Sequence, residues 1–341
     1  CKEITELFSD GNALKPPFEI AYAELPSMVD GVFIALHGRP GEDGEVQSHL
    51  DLVCLPYNGS GPASSKITID KFETNEILMS NGVHAAKHMV VLGNDWRKDP
   101  SRFEDIVLES FNYPIIAKPV DDGCSSAVKI IRNSAQLHAF CELIFREADE
   151  LLIPASEILK IKPKEEFPRK DRFLVEELIS KSDADRFLEI TGGLMTFYAD
   201  NGELRYEVFE ASEALSEGDV LSLEEKFLAG QGQNITPARY SSDPIENKRI
   251  SAEVKKVLEH TAKVLNVEGY ARIDAFVRIF RDGKVEVLVI EVNSLPGMTP
   301  ATCIFHQAAI NDYKPFEFID KLIDFGIQRN QRLPNQTGSR K

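Results

Sequence analysis

Residues 271–293, reading ARIDAFVRIF-RDGK-VEVLVIEVN, constrain this chain more than any other stretch. Two runs rich in β-branched residues flank Asp282-Gly283. An Asp-Gly pair in that setting signals a hairpin, because a tight two-residue turn needs residues that tolerate positive φ. Counting outward from such a turn, Arg281 faces Lys284, Asp274 faces Glu291 and Arg272 faces Asn293. Side chains alternate with period two along a strand, so the last four share one face. The same count surrounds them with Phe276, Val287 and Val289. Carboxylates set directly opposite each other repel and destabilise a sheet. A divalent cation resolves that conflict. Asp, Glu and Asn supply the hard oxygen donors that Mg²⁺ prefers, and such sites are commonly shared with substrate phosphates. The alternative is a solvated strand face on which Arg272 neutralises one acid.

A chain of 341 residues has room for two or three domains. Its 39 basic and 55 acidic residues leave a formal charge of −16. That argues against a nucleic-acid partner, which calls for a basic footprint, and against docking on an anionic membrane. No apolar run is long enough to span a bilayer, and no signal segment opens the chain. The five cysteines are odd in number, widely spaced and form no CxxC pair. A reducing compartment, the cytoplasm, fits them.

Elements follow from periodicity and turn residues. Val32–Leu36 reads as a buried strand entering the glycine loop HGRPGEDG, with a helix over 45–53 and a short strand near Cys54–Leu55. A single helix is expected over 66–81, closed by Asn81-Gly82. Strands at 113–118 and 127–131 enclose the polar loop PVDDGCSSA, and a helix follows over 134–149. Residues 154–170, with three prolines, read as a surface loop. Strands are expected at 172–178, 187–198 and 204–210, and mostly loop over 211–239. A helix over 246–266 precedes the hairpin, and a last helix over 315–325 precedes a frayed polar tail.

Lys118 ends a hydrophobic strand immediately before the loop Asp121–Ala127. Backbone N–H groups of small residues and a lysine point charge can hold phosphate, although Asp121 and Asp122 oppose it. The chain holds no Walker A loop and no GxGxxG. Val175–Leu178 ends another strand, where backbone groups can meet an adenine edge and an acid a ribose. His37 lies in the glycine loop, within reach of a polar substrate. Taken singly, each of these is ordinary.

Together, in order and spacing, the segments resemble the D-alanine–D-alanine ligases of the ATP-grasp superfamily. The resemblance rests on VFIALHGRPGEDG (32–44), YNGSGPASSKITIDK (57–71), IIAKPVDDGCSSAVKI (115–130), FLVEELIS (173–180) and EEKFLAGQGQNITPA (224–238). GYARIDAF (269–276) and VIEVNSLPGMT (289–299) complete it. It implies an α/β and α+β architecture: an ATP-grasp fold behind a Rossmann-like N-terminal domain. It also implies a reaction. ATP phosphorylates the carboxylate of one D-alanine, and the amine of a second attacks the acyl phosphate, for peptidoglycan precursor synthesis. The protein's part is then positioning and charge neutralisation.

By the same resemblance, Asp274, Glu291 and Asn293 hold two Mg²⁺ ions, with Mn²⁺ as a substitute. Lys71 and Lys118 hold ATP phosphates, and Lys226 reaches the terminal phosphate from a mobile loop. Glu176, Glu177, Leu178 and Ile179 form the adenine hinge, with Glu189 a second nucleotide-binding acid. Arg272 stabilises the acyl phosphate and the oxyanion. His37 lies near the second substrate, Ser125 belongs to the catalytic phosphate lid, and Gly297 and Thr302 hold the reacting carboxylates. Similar ligases are commonly homodimers.

The chain departs from the family pattern in three places. The lid reads Gly123-Cys124-Ser125-Ser126-Ala127 where the family has Gly-Ser-Ser-x-Gly, and Lys226 is followed by Phe227 rather than Tyr. Cys124 and Phe227 together remove a lid-closing hydrogen bond. In the family a Phe there accompanies D-lactate or D-serine as second substrate, so a D-alanine–D-lactate or D-serine ligase is an alternative. Residues 1–36 hold nothing like the family's first strand, Gly-Gly turn and Ser-x-Glu acid. The first βα unit is therefore expected to be missing, which keeps another ATP-grasp carboxylate–amine ligase, or a degenerate ATP-binding module without turnover, as further alternatives. The expected division is an N-terminal α/β domain (1–70), a central ATP-grasp subdomain (71–176), a C-terminal one (177–330) and a tail (331–341).

Overall fold

The computed structural model describes residues 19–122, 127–162, 165–215, 234–299 and 302–333. Ser125 and Lys226, with Cys124 and Phe227, lie outside the described residues, as does the stretch before residue 19.

Two sheets organise the described residues. The smaller has four strands: β2 (His88–Leu92), β3 (Ile115–Pro119), β4 (Lys129–Ile131) and β5 (Arg172–Glu177), in the order β2-β5-β3-β4. β3 and β4 form the expected antiparallel pair flanking the polar loop. The larger sheet has seven: β1 (His84–Ala85), β6 (Arg186–Tyr198), β7 (Leu204–Val208), β8 (Ser212–Ala214), β9 (Asn234–Ile235), β10 (Tyr270–Ile279) and β11 (Val285–Asn293). Its order is β1-β11-β10-β6-β8-β9, with β7 paired to β6.

One face of the larger sheet is dry. The helix Pro244–Val264 starts where Asp243 Oδ1 accepts from the Ile245 and Glu246 amides, with Pro244 in the first turn. Ile250, Val254, Leu258 and Ala262 recur at helical spacing, and this stripe packs on Ile273, Ala275, Val277, Val287 and Val289. The opposite face carries Arg272, Asp274, Glu291 and Asn293, flanked by the apolar pairs Tyr270–Met195 and Phe276–Leu288. A second core lies around β3, β5 and the helix Ser134–Ile144, through Ile115, Phe140 and Phe173. A third joins Ile34, Leu50 and Tyr57 to Met195, Tyr270 and Phe318.

The hairpin differs from expectation in two ways that cancel. The Phe280 amide donates to Lys284 O (3.0 Å) and the Gly283 amide to Phe280 O (3.0 Å). The loop is therefore three residues, Arg281–Gly283, with Gly283 at φ +84. This shifts pairing by one, so Ile279 faces Val285 and Ala275 faces Val289. A bulge at Ile290 then shifts it back, and Asp274 faces Glu291 and Arg272 faces Asn293. Below the bulge the face changes owner. Phe276 pairs with Leu288, so Leu288 lies beside Phe276, while Val287 and Val289 belong to the core on the other side.

Other departures have local causes. Val32–Leu36 forms no strand beyond a bridge between Val32 and Tyr57. The Ile34 main chain is satisfied by the Asn58 side chain, which accepts from its amide (2.6 Å) and donates to its carbonyl (3.2 Å). Cys54–Leu55 is a helix end: Cys54 has φ 55 and the Leu55 amide donates to Leu50 O, capping the helix Glu45–Leu52. The single helix over 66–81 is two, Pro62–Ile69 and Lys71–Ser80. Asp70 breaks it by accepting from the Phe72 and Glu73 amides, which makes Asp70 an N-cap and sets Lys71 at a helix start. The helix from Ser134 ends at Ile144, short of 149. The loop 154–170 contains most of a short helix, Ile153–Ile158, whose first turn accommodates Pro154.

The last helix runs from Pro315 to Arg332, well past 325. Arg329 accounts for the extension. Its guanidinium lies 3.9 Å from the Tyr57 ring centroid, donates to Gly59 O (3.0 Å) and pairs with Asp51 and Glu268 (both 3.6 Å). Beside it Gly269, at φ +73, lies against Gly59: a Cβ on Gly269 would stand 2.5 Å from the Gly59 nitrogen and Cα. Backbone cannot swing aside, so Gly269→Ala is expected to cost about 3 kcal/mol in urea unfolding, combining overpacking with positive-φ strain.

Candidate functional site

The polar face of the larger sheet is assembled row by row. β10 pairs with β6 as well as β11, so Asp274 is flanked by Thr191 and Glu291, Arg272 by Gly193 and Asn293, and Phe276 by Glu189 and Leu288. Asp274 is buried, at 4% exposure. Arg272 sits between the two acids, with Nε 3.1 Å from Asp274 Oδ1, Nη2 3.3 Å from Asp274 Oδ2 and Nη2 3.8 Å from Glu291 Oε1. Burial works against its charge, but Asp274 and Glu291 outweigh burial and hold the guanidinium pKa above its ordinary value. The reading in which Arg272 neutralises one acid thus understates its contact, which reaches both.

Lysines close the site from the smaller sheet. Lys71, buried at its helix start, has Nζ 4.0 Å from Glu291 Oε2 and donates to the Asp122 carbonyl. Its amide donates to Val120 O (2.9 Å), which ties the helix to the end of β3. Burial lowers the Lys71 pKa; Glu291 opposes this and Lys118 adds to it. An added anion favours the charged form of a desolvated ammonium near a second lysine. Lys118, on β3 and buried, binds Glu176 Oε2 at 2.7 Å, and Asn75 Nδ2 donates to Glu176 Oε1 (3.2 Å).

The acids Asp121 and Asp122 are neutralised rather than left to repel phosphate. Arg39 contacts Asp121 at 2.6 Å and Asp122 at 3.7 Å, and Lys170 lies 2.9 Å from each. Burial pushes the Asp121 carboxyl up, but hydrogen bonds from Lys170 and Arg39 outweigh it and hold its pKa below the ordinary range. Arg39 also pairs with Asp43 (3.2 Å), joining the glycine loop to the base of the polar hairpin. His37, two residues before Arg39, has Nδ1 2.9 Å from Glu42 Oε1.

The other expected residues make local contacts. The Glu177 carboxylate accepts from the Lys87 amide (2.9 Å), while Leu178 and Ile179 are half-buried in the segment leaving β5. Gly297 and Thr302 are neighbours: a Cβ on Gly297 would lie 3.8 Å from Thr302 Cγ2. Thr302 caps no amide with its side chain; its hydroxyl donates to Thr299 O (2.7 Å) at the start of the helix Cys303–Ile310. Sequence reasoning did not single out Thr191, Asn75, Arg39 or Gln307. The only cue to Thr191 is its place two residues after Glu189 on one strand face.

Hard oxygens on Asp274, Glu291 and Asn293 suit Mg²⁺. Asn293 Oδ1 also accepts from the Leu295 amide at 3.0 Å. Among the described residues no three His, Cys, Asp or Glu side chains gather as a ligand set.

The comparisons with known proteins agree. The family model described as D-ala D-ala ligase N-terminus matches residues 4–60, and the one described as D-ala D-ala ligase C-terminus matches 77–162 and 155–324. A D-alanine–D-alanine ligase of Leptospira interrogans is 30% identical over 303 residues, covering 88% of this chain and 74% of that protein. One from Geobacter sulfurreducens is 30% identical over 271 residues, covering 80% and 69%. A solved D-alanine–D-alanine ligase of Bacillus anthracis complexed with ATP has a TM-score of 0.62 at 23% identity, covering 91% of this chain and 84% of that one. A D-Ala:D-Ser ligase of Enterococcus faecalis has a TM-score of 0.61 at 21% identity, covering 87% and 73%. At such identities these two structures speak for the fold, which is ATP-grasp. On the family models and the extent of the sequence matches, the chain belongs to the D-alanine–D-alanine ligase family.

Proposed function

We infer that the protein is an ATP-dependent ligase that joins two D-alanine molecules into D-alanyl-D-alanine. The observation that carries this reading is the opposed pair Asp274 and Glu291, bridged by Arg272 and approached by Lys71. In the reaction, a carboxylate oxygen of the first D-alanine attacks the terminal phosphorus of ATP, and the bond to ADP breaks. The amine of the second D-alanine then attacks the acyl carbonyl, and phosphate leaves as the C–O bond breaks.

Lys71 and Lys118 neutralise the phosphates, and ATP in turn compensates the burial of Lys71. Asp274, Glu291 and Asn293 would hold Mg²⁺, which when bound shields the phosphate charge from the incoming carboxylate. Arg272 stabilises the negative charge that develops on the acyl phosphate and on the tetrahedral oxygen. Glu176, Glu177, Leu178, Ile179 and Glu189 are assigned to the nucleotide, and His37, Gly297 and Thr302 to the amino-acid substrates. Ser125 and Lys226 keep their assigned roles at the phosphates, outside the described residues. The reading includes the domain boundaries near 70, 176 and 330, two Mg²⁺ ions and a homodimer. It also includes the cytoplasm, supported by ATP as substrate and by Cys54, Cys141 and Cys303 being unbridged. Among the described residues no helix is long and apolar enough to cross a membrane.

The test is phosphate release from Mg-ATP with D-alanine alone, then with D-lactate or D-serine added, with the products identified. Release with D-alanine alone and formation of the dipeptide support the ligase. Release only when a second acid is added moves the assignment to a depsipeptide or D-serine ligase. ATP binding without release under every pairing overturns turnover altogether. Within this reading, Lys118→Met is expected to weaken ATP binding about 10- to 100-fold, as loss of a charge-assisted contact. It also strips Glu176 of its cation, at a cost of about 3 kcal/mol in unfolding experiments.

A further inference from the structure

Asp274 is held by a second donor whose place in the fold differs from that of Arg272. The Thr191 hydroxyl donates a hydrogen bond to Asp274 Oδ1, the oxygen that also receives Arg272 Nε. Thr191 is buried on β6, paired with Asp274 on one side and Ser212 on the other. Its carbonyl accepts from Gln307 Nε2 at 2.7 Å, and the same amide donates to Ser212 Oγ at 3.0 Å. Ser212 Oγ lies 2.6 Å from Thr236 Oγ1. Gln307 is fully buried and belongs to the helix Cys303–Ile310, which begins immediately after Thr302. Gly193 makes room for it: a Cβ there would collide with Gln307 Oε1.

The two donors to Asp274 cannot serve alike through a reaction. Arg272 also contacts Glu291, and the proposed chemistry draws its charge toward the acyl phosphate. Thr191 is held in a ladder between two strands. A carboxylate that must present one oxygen to a cation keeps its rotamer only while a donor holds the other, and such outer partners commonly set metal affinity.

We propose that Thr191 is a positioning residue for Asp274, and that Gln307 braces Thr191 against the helix that starts at Thr302. This rests on the reading of Asp274 as a metal ligand.

The test measures Mn²⁺ binding to the protein saturated with a non-hydrolysable ATP analogue, counting free Mn²⁺ by electron paramagnetic resonance, together with steady-state kinetics. Thr191→Val keeps the shape and removes the hydroxyl. It is expected to raise the Mn²⁺ Kd and to lower kcat about 10- to 100-fold each. KM for D-alanine is expected to stay within about two-fold, since substrate contacts are untouched. Thr191→Ser is expected to restore both to within about three-fold, because the donor returns. Wild-type Mn²⁺ affinity in Thr191→Val, or a serine variant no better than valine, overturns the proposal. If Thr191→Val does not fold, Gln307→Met decides, with about a three-fold weaker Mn²⁺ affinity expected and an unchanged affinity counting against the brace. Asp274→Asn separates the layers. Wild-type Mn²⁺ binding there removes the metal reading itself, whereas lost binding there with normal binding in Thr191→Val removes only the positioning role.

Discussion

Replacing Asp274 or Glu291 by alanine is expected to lower kcat by about 10³-fold or more while the chain still folds. The magnitude follows from losing several kcal/mol of charge stabilisation by a metal ion, at about 1.4 kcal/mol per tenfold. The fold survives because each deletion relieves a like-charge contact: either variant leaves Arg272 facing one remaining carboxylate. The sheet core lies on the opposite face, in Ile273, Ala275, Val287 and Val289, and is untouched. Circular dichroism and urea unfolding check the fold, and phosphate release checks turnover. Mg²⁺-dependent activity retained in either variant would sink the metal assignment. Loss of activity with loss of cooperative unfolding would show instead that the acids serve the sheet.

Arg272→Met carries the second large effect, and it has two parts. Turnover is expected to fall by about 10²- to 10³-fold, as for removal of a preorganised donor to a developing oxyanion. Stability without metal is expected to fall by about 3–5 kcal/mol, because two opposed carboxylates lose their common cation. A divalent cation then substitutes for part of the missing charge. Binding to the native state alone stabilises by about 2.7 kcal/mol at a hundred times Kd. The variant's Tm is therefore expected to rise on adding Mg²⁺ far more than the wild type's, whose carboxylates already have Arg272. Equal Mg²⁺ shifts in the two proteins would separate Arg272 from the cation site.

Much of the site is legible in the sequence, and the hairpin shows where legibility stops. Asp274 and Glu291 were paired by counting from a two-residue turn. The turn has three residues, and a bulge at Ile290 restores the count. The pairing came out right through compensation, and the cost appears lower on the same face, where Leu288 replaces Val287 and Val289 beside Phe276. Turn length and bulges depend on how a strand twists against both neighbours, which no local pattern records. Lys71 is a similar case. Its segment read as mid-helix, but Asp70 captures two amides and makes Lys71 the first residue of a new helix. Asp at an N-cap is a known preference, and here Arg172 holds the other Asp70 oxygen from β5 at 2.8 Å.

The amino-acid sequence by itself determined which chemistry is available and on which strands: the period-two alternation that sets Arg272 with Asp274 on one face of β10 and Glu291 with Asn293 on one face of β11, the lysine at the end of β3, and the motifs shared with the D-alanine–D-alanine ligases. Alternation is local, so it can be read from a single segment. Only the tertiary structure decided what stands beside those residues. Thr191 meets Asp274 because β6 is the neighbour of β10, Lys71 meets Glu291 because Asp70 starts its helix at that point, and Arg39 meets Asp121 from 82 residues away. Contacts between distant segments depend on sheet order and register, and these are set by burying a core that no single segment contains.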